Sequence, residues 1–124
     1  MRIFKSTWFT RFAGKEGITD SELREMVNQL EAGQADADLG SGVYKVRVAR
    51  PGEGKSGGYR VIVFFKSEER TFYQYAYPKS SRSNINQGEL RYYKKMAKIN
   101  FTMSDCELAD AIKAGEYTEI EEVV

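Results

Sequence analysis

The sequence predicts one small α+β domain, a three-stranded antiparallel meander with a short N-terminal edge strand, packed against N-terminal and C-terminal helices. Three observations predict it. The chain has 124 residues with 41% hydrophobic and 30% charged side chains, enough for one core and too few for two domains. Apolar residues recur at helical spacing before residue 31 and again after residue 87. Between residues 44 and 77 the period changes to two and the composition turns to Val, Ile, Phe and Tyr.

Residues 2–4 read as the short edge strand. Trp8, Phe9 and Phe12 then sit at helical spacing, and Gly14 and Gly17 end that helix. Thr19-Asp20-Ser21-Glu22 matches a capping box, followed by Leu23, Met26, Val27 and Leu30 on one face, with Gly33 past the end. From residue 34 to 42 the Ala, Asp and Gly content reads as loop. Tyr44, Val46 and Val48 alternate with Lys45 and Arg47, so a strand here turns its apolar side chains one way and its cations the other. Residues 50–58 are rich in Gly and Pro and read as a connection. A second strand is expected over 59–66, a turn at 67–70, and a third strand over 71–77 with Tyr73, Tyr75 and Tyr77 on one face. Pro78 stops it. A helix over 87–99 carries Leu90, Tyr93 and Ala97 inward, and Ser104-Asp105-Cys106-Glu107 caps a last short helix that Gly115 ends. Residues 1–101 form the main body, and 102–124 an acidic helical extension of the same domain.

The formal charge is only +1, but it is polarised along the chain. Residues 41–98 carry thirteen basic and four acidic side chains, and residues 104–124 carry one and seven. A basic block of that size attracts polyanions. Acidic C-terminal segments are mostly just solvated, and the tail's opposite sign leaves open the sharper alternative that it folds over the basic face and tempers binding there. Histidine is absent and Cys106 is the only cysteine, which excludes His-dependent triads, His-liganded zinc and internal disulfides. No cofactor or metal is expected. The chain has no apolar run long enough for a membrane partner or a signal peptide, so it reads as cytoplasmic.

Gly54-Lys55-Ser56 ends like a phosphate-binding P-loop, but the opening glycine falls on Ala49 and a strand, not a helix, follows. The more informative cluster is Lys45, Arg47, Arg50, Lys55, Arg60, Lys79 and Arg82, with Tyr75 and Tyr77 among them. If the strands pair in order, these cations gather near one end of the sheet. Cations on phosphates beside rings that stack on bases are the means of single-stranded nucleic-acid recognition. RNA cleavage by the neighbouring 2′-hydroxyl is feasible with such a set. Lysine accepts a proton when crowding lowers its pKa, arginine stabilises the phosphorane charge, and Tyr or Lys protonates the leaving oxygen.

Tyr44-Lys45-Val46-Arg47-Val48, Gly54-Lys55-Ser56-Gly57-Gly58-Tyr59-Arg60-Val61-Ile62 and Tyr75-Ala76-Tyr77-Pro78-Lys79-Ser80 with Asn84-Ile85 together resemble the RelE/HigB superfamily of type II toxins, closest to its HigB-like branch. The resemblance runs over roughly residues 2–100. It implies a RelE/ParE-like fold and an mRNA endoribonuclease acting in the ribosomal A site without a metal. Arg60 resembles the phosphate-stabilising arginine, Lys45 and Arg47 the paired basic positions of the first strand, Lys55 the HigB-type loop lysine, and Lys79 the lysine after the last strand. Arg82, Arg50, Tyr75 and Tyr77 are then the RNA-binding set. A cognate antitoxin, a small helix-turn-helix DNA-binding protein, is implied as partner. The family's next basic position is Ser80 here and its stacking tyrosine falls near Asn86, which leaves open a non-catalytic or ParE-like, gyrase-directed module.

Overall fold

A computed structural model describes residues 1–50, 54–82 and 84–121, with the backbone alone described at 50 and 54–57. The elements are β1 (Arg2–Ser6), α1 (Thr7–Glu16), α2 (Asp20–Glu31), β2 (Ala37–Gly40), β3 (Val43–Arg50), β4 (Gly54–Lys66), β5 (Arg70–Pro78), α3 (Gln87–Thr102), α4 (Asp105–Lys113) and β6 (Tyr117–Ile120). The strands form one six-stranded sheet in the order β2-β3-β4-β5-β1-β6. The expected meander is its β3-β4-β5 portion.

The sheet is larger than three strands and it is mixed. β1 is not an edge strand: it pairs parallel with β5, Phe4 opposite Phe72, and antiparallel with β6, Phe4 opposite Glu119. Both of its edges are therefore hydrogen-bonded, and Phe4 and Ser6 are buried. The segment read as loop contains β2, which pairs with β3 and is bent by a register shift between Asp38 and Gly40. The glycine-rich connection also enters the sheet, since β4 already begins at Gly54.

Both faces of the sheet are covered. On one, Phe9 and Ala13 of α1 and Leu23, Met26, Val27 and Leu30 of α2 pack on Val46, Val61, Val63 and Tyr73. On the other, Ala97 of α3 and Leu108 and Ala111 of α4 pack on Phe4, Ile62, Phe64, Phe72 and Tyr77. The caps read from sequence fix the helix starts. Thr19 and Glu22 close one box, Ser104 and Glu107 another, and Gly17 ends α1 in the left-handed region at φ 73°.

The close approach of β3 to β4 requires glycine at 58. At the register shift between Val48 and Arg50, a Cβ on Gly58 would collide with the Val48 carbonyl and Ala49 Cα. Backbone cannot rotate away as a side chain can. Gly58→Ala should therefore lower unfolding free energy by about 1–3 kcal/mol. A urea midpoint equal to that of the wild type would contradict this packing.

Candidate functional site

The site begins with an irregularity in β5. Register runs Ile62 opposite Tyr75 and Val63 opposite Tyr73, so Gln74 is one residue too many. A bulge of one residue turns the rest of a strand over. Tyr73 therefore lies on the α1/α2 face, where its hydroxyl donates to the Leu23 carbonyl at 2.6 Å, while Tyr75 and Tyr77 belong to the α3 face. The expectation of three tyrosines on one face fails for this reason. Ser6 holds the bulge: its hydroxyl donates to the Gln74 carbonyl at 3.0 Å and accepts the Phe9 N–H that caps α1. Gln74 in turn donates to the Tyr117 hydroxyl at 3.1 Å.

With the parity reset, two rows cross the sheet on the α3 face. Arg47 is paired with Arg60, and Arg60 with Tyr77. Lys45 is paired with Ile62, and Ile62 with Tyr75. Strands about 4.8 Å apart place the outer members of each row about 10 Å from one another. The cations of the first meander strand are thus brought to Arg60 and the tyrosines, as the sequence suggested.

The members differ in exposure. Arg47 is exposed, with its Nε 3.5 Å from Asp36 Oδ1 and its backbone N–H donating to the same carboxylate. Lys45 is half-buried. Arg60 is 5% exposed and Tyr77 1%, and the Arg60 Nη1 and the Tyr77 hydroxyl are buried without a hydrogen-bond partner among the described residues. A buried guanidinium nitrogen and a buried hydroxyl each prefer a partner by a few kcal/mol. They sit at adjacent positions of one row.

Arg82 covers the row's end, its guanidinium 5.3 Å from the centre of the Tyr77 ring. It is held there by a two-pronged pair with Glu89, Nη1 donating to Oε2 at 3.0 Å and Nη2 to Oε1. Glu89 also accepts from the Asn86 N–H, while the Asn86 side chain accepts from the Glu89 N–H. Asn86, the expected place of a stacking tyrosine, is the N-cap of α3. The hydrogen bond from Arg82 lowers the Glu89 pKa, and the Glu89 carboxylate raises that of Arg82. Burial raises the Tyr77 hydroxyl above 10, opposed by the charges of Arg82 and Arg60, so it is a proton donor at neutral pH. Burial, with the Glu89 charge, pushes Tyr93 up to about 12.

Glutamine can fill the same place in a capping box, so Glu89→Gln removes the charge on Arg82 and little else. A carboxyl whose folded pKa is depressed stabilises above its unfolded pKa, near 4.3, and stops doing so as pH falls through the folded value. The variant should unfold at slightly lower urea than wild type at pH 7, and the two midpoints should converge toward pH 3. Equal midpoints at both pH values would mean the pair contributes nothing.

Lys79 is exposed just past β5, its backbone N–H 3.3 Å from the Gly58 carbonyl. The side chains of Arg50 and Lys55 lie outside the described residues. Tyr77, expected to stack on a base, is buried too deeply to offer a ring face, whereas half-buried Tyr75 lies 4.5 Å from Trp8, ring centre to ring centre. The acidic tail, as far as it is described to residue 121, does not cover the basic face. Its residues 117–120 are β6, at the far side of the sheet from β3, and Glu119 pairs with Arg2 at 2.9 Å. Asp105 lies 3.2 Å from Arg70, at the other end of β5 from Tyr77.

Sequence reasoning missed Trp8, Glu89 and Tyr92. The spacing Asn86 to Glu89 was the available signal for the second, since it is a capping box. Among the described residues, Trp8, Tyr92 and Ile99 are the large apolar side chains left exposed, at 44, 58 and 54%. No helix among them is long and apolar enough to cross a membrane.

The chain matches, over residues 1–120, the family model described as the RelE toxin of the RelE/RelB toxin–antitoxin system. That span takes in all six strands and all four helices. The polarised basic rows and the sheet that carries them are therefore those of a toxin, and the chain belongs to the RelE family.

Proposed function

We propose that this toxin is a ribosome-dependent messenger-RNA endoribonuclease of the HigB-like branch, acting by attack of a 2′-hydroxyl on the adjacent phosphate. RelE toxins are generally endoribonucleases that inhibit translation, and a cognate antitoxin is their partner. The observation that carries the reading for this chain is the buried, unpartnered Nη1 of Arg60 beside the unpartnered hydroxyl of Tyr77. A guanidinium nitrogen and a hydroxyl that lack partners among the described residues offer an N–H and an O–H to an anion, and most of all to one whose charge grows during reaction.

In the reaction the O2′–P bond forms and the P–O5′ bond breaks. Arg60 and Tyr77 bind the non-bridging oxygens as their charge rises. Arginine does not give up its proton, so the acceptor for the 2′ proton falls to a lysine of the set, Lys45 or Lys79, and the departing 5′-oxygen takes a proton from Tyr77 or the other lysine. Arg47 and Lys55 hold flanking phosphates, with Arg50 and Arg82. An incoming phosphate competes with Glu89 for Arg82 and draws that guanidinium off Tyr77, which opens the two buried donors. Tyr75 is the ring left to stack on a base. The antitoxin is a small helix-turn-helix DNA-binding protein, and toxin and target meet in the cytoplasm.

Primer extension on messenger RNA in a purified translation system, with and without ribosomes, tests this. Cuts within codons that require ribosomes are expected. A folded toxin that makes no cuts at an A site empty of tRNA would overturn the reading and favour a gyrase-directed or purely regulatory role.

A further inference from the structure

Three strands and a helix meet at the β5 bulge through one cluster of polar side chains. Ser6 of β1, paired in the sheet with Tyr117 of β6, donates to the Gln74 carbonyl at 3.0 Å. The Tyr117 hydroxyl accepts from Gln74 Nε2 at 3.1 Å and from Asn100 Nδ2 of α3 at 2.6 Å. Those two bonds use both lone pairs of that oxygen. Ser6, Asn100 and Tyr117 are all buried. Polar groups at this depth gain little over apolar packing, and what a fully bonded network adds is a single geometry.

We propose that Gln74, Asn100 and Tyr117 are positioning residues for RNA cleavage: they clamp the bulge, and through it they hold Tyr77 beside Arg60. The proposal rests on the nuclease reading. Its ground is what the extra residue does to the strand that follows. Counted on regularly from Val63 opposite Tyr73, Arg60 would face Ala76, and Tyr75 and Tyr77 would fall on the α1/α2 face. With Gln74 bulged out, Arg60 meets Tyr77 and Ile62 meets Tyr75. The clamp grips Gln74 at both ends, its carbonyl from β1 and its side chain from β6 and α3. Neither Asn100 nor Tyr117 belongs to the two rows, and Tyr117 lies two strands from β5. The same helix reaches the site at its other end, where Glu89 holds Arg82 over the Tyr77 ring. α3 is thus pinned to the row at Glu89 and to the bulge at Asn100, about three turns apart.

Two variants and a control test it. Tyr117→Phe keeps the ring against Phe72 and removes the shared acceptor, and Gln74→Met keeps the side chain's length and removes the donor. Val27→Ala, in the core on the opposite face of the sheet, destabilises without touching the cluster. Ribosome-dependent cleavage is measured well below the thermal midpoint of each. In both cluster variants kcat should fall about 10- to 100-fold with KM within about threefold of wild type, whereas Val27→Ala should cut at the wild-type rate. The placement of Tyr75 is read separately, by near-ultraviolet circular dichroism of Trp8, the one tryptophan of the chain, whose ring lies 4.5 Å from that of Tyr75. That band should change in Tyr117→Phe and Gln74→Met and stay as it is in Val27→Ala. Wild-type kcat in both cluster variants, an equal loss in Val27→Ala, or an unaltered Trp8 band overturns the proposal and leaves the cluster to folding alone. If the wild type cuts no RNA, the nuclease reading fails, and the Trp8 band by itself decides whether the cluster holds the bulge.

Discussion

Arg60→Met is expected to unfold at higher urea than the wild type and to cut messenger RNA at least about 100-fold more slowly. The two effects have one cause. Arg60 is 5% exposed in the middle of the sheet, between Arg47 and Tyr77, and its Nη1 has no partner among the described residues. Burying a guanidinium without full pairing costs several kcal/mol, and replacing buried charge by an apolar side chain of similar reach has stabilised other proteins by about 1–4 kcal/mol. Methionine adapts to the slot without a charge. In the proposed reaction the same charge meets the phosphate and is worth most in the transition state, and loss of one such donor typically costs about 100- to 1,000-fold in kcat. Urea denaturation and ribosome-dependent primer extension, on the same preparation, read both. A variant that is inactive but less stable than wild type would make Arg60 a structural residue. A more stable variant that still cuts would place the chemistry elsewhere on the face.

How much of this was legible beforehand depends on whether the signal was local. Capping boxes at Thr19 and Ser104 and the alternation from Tyr44 to Val48 are set by neighbours within four residues, and they were read correctly. The separation of Lys45 and Arg47 from Tyr44, Val46 and Val48 followed from strand pleat alone. The faces of β5 did not, because nothing in Tyr73-Gln74-Tyr75 announces a bulge. It exists because Gln74 finds Ser6 and Tyr117, residues 68 and 43 positions away. β6 was hidden for a related reason. Tyr117-Thr118-Glu119-Ile120 is four residues inside an acidic run, and only pairing with β1 and the Arg2–Glu119 contact make it a strand. The basic cluster was visible as composition, but which of its members are buried is a property of α3 lying over the sheet.

The hydroxyl of Tyr77 provides the sharper test of what that burial is for. Tyr77→Phe removes one oxygen and leaves the ring, its contact with Arg82 and the packing against α3 in place. A ring that served by stacking on a base would act as well in phenylalanine, and the substitution would be silent. With the ring 1% exposed and the hydroxyl unpartnered, the opposite is expected: kcat for messenger-RNA cleavage falls about 10- to 100-fold while KM changes little. Stability should move the other way, rising by about 1–2 kcal/mol, because an unsatisfied buried hydroxyl is removed. The pH profile supplies an independent check. Burial raises the hydroxyl's pKa above its ordinary value, so it keeps its proton throughout the neutral range. The ratio of Tyr77→Phe to wild-type rates should therefore stay constant with pH across that range. If the variant matches wild type in rate and profile, the phosphate is held by the cations alone, and the proton for the 5′-oxygen comes from a lysine.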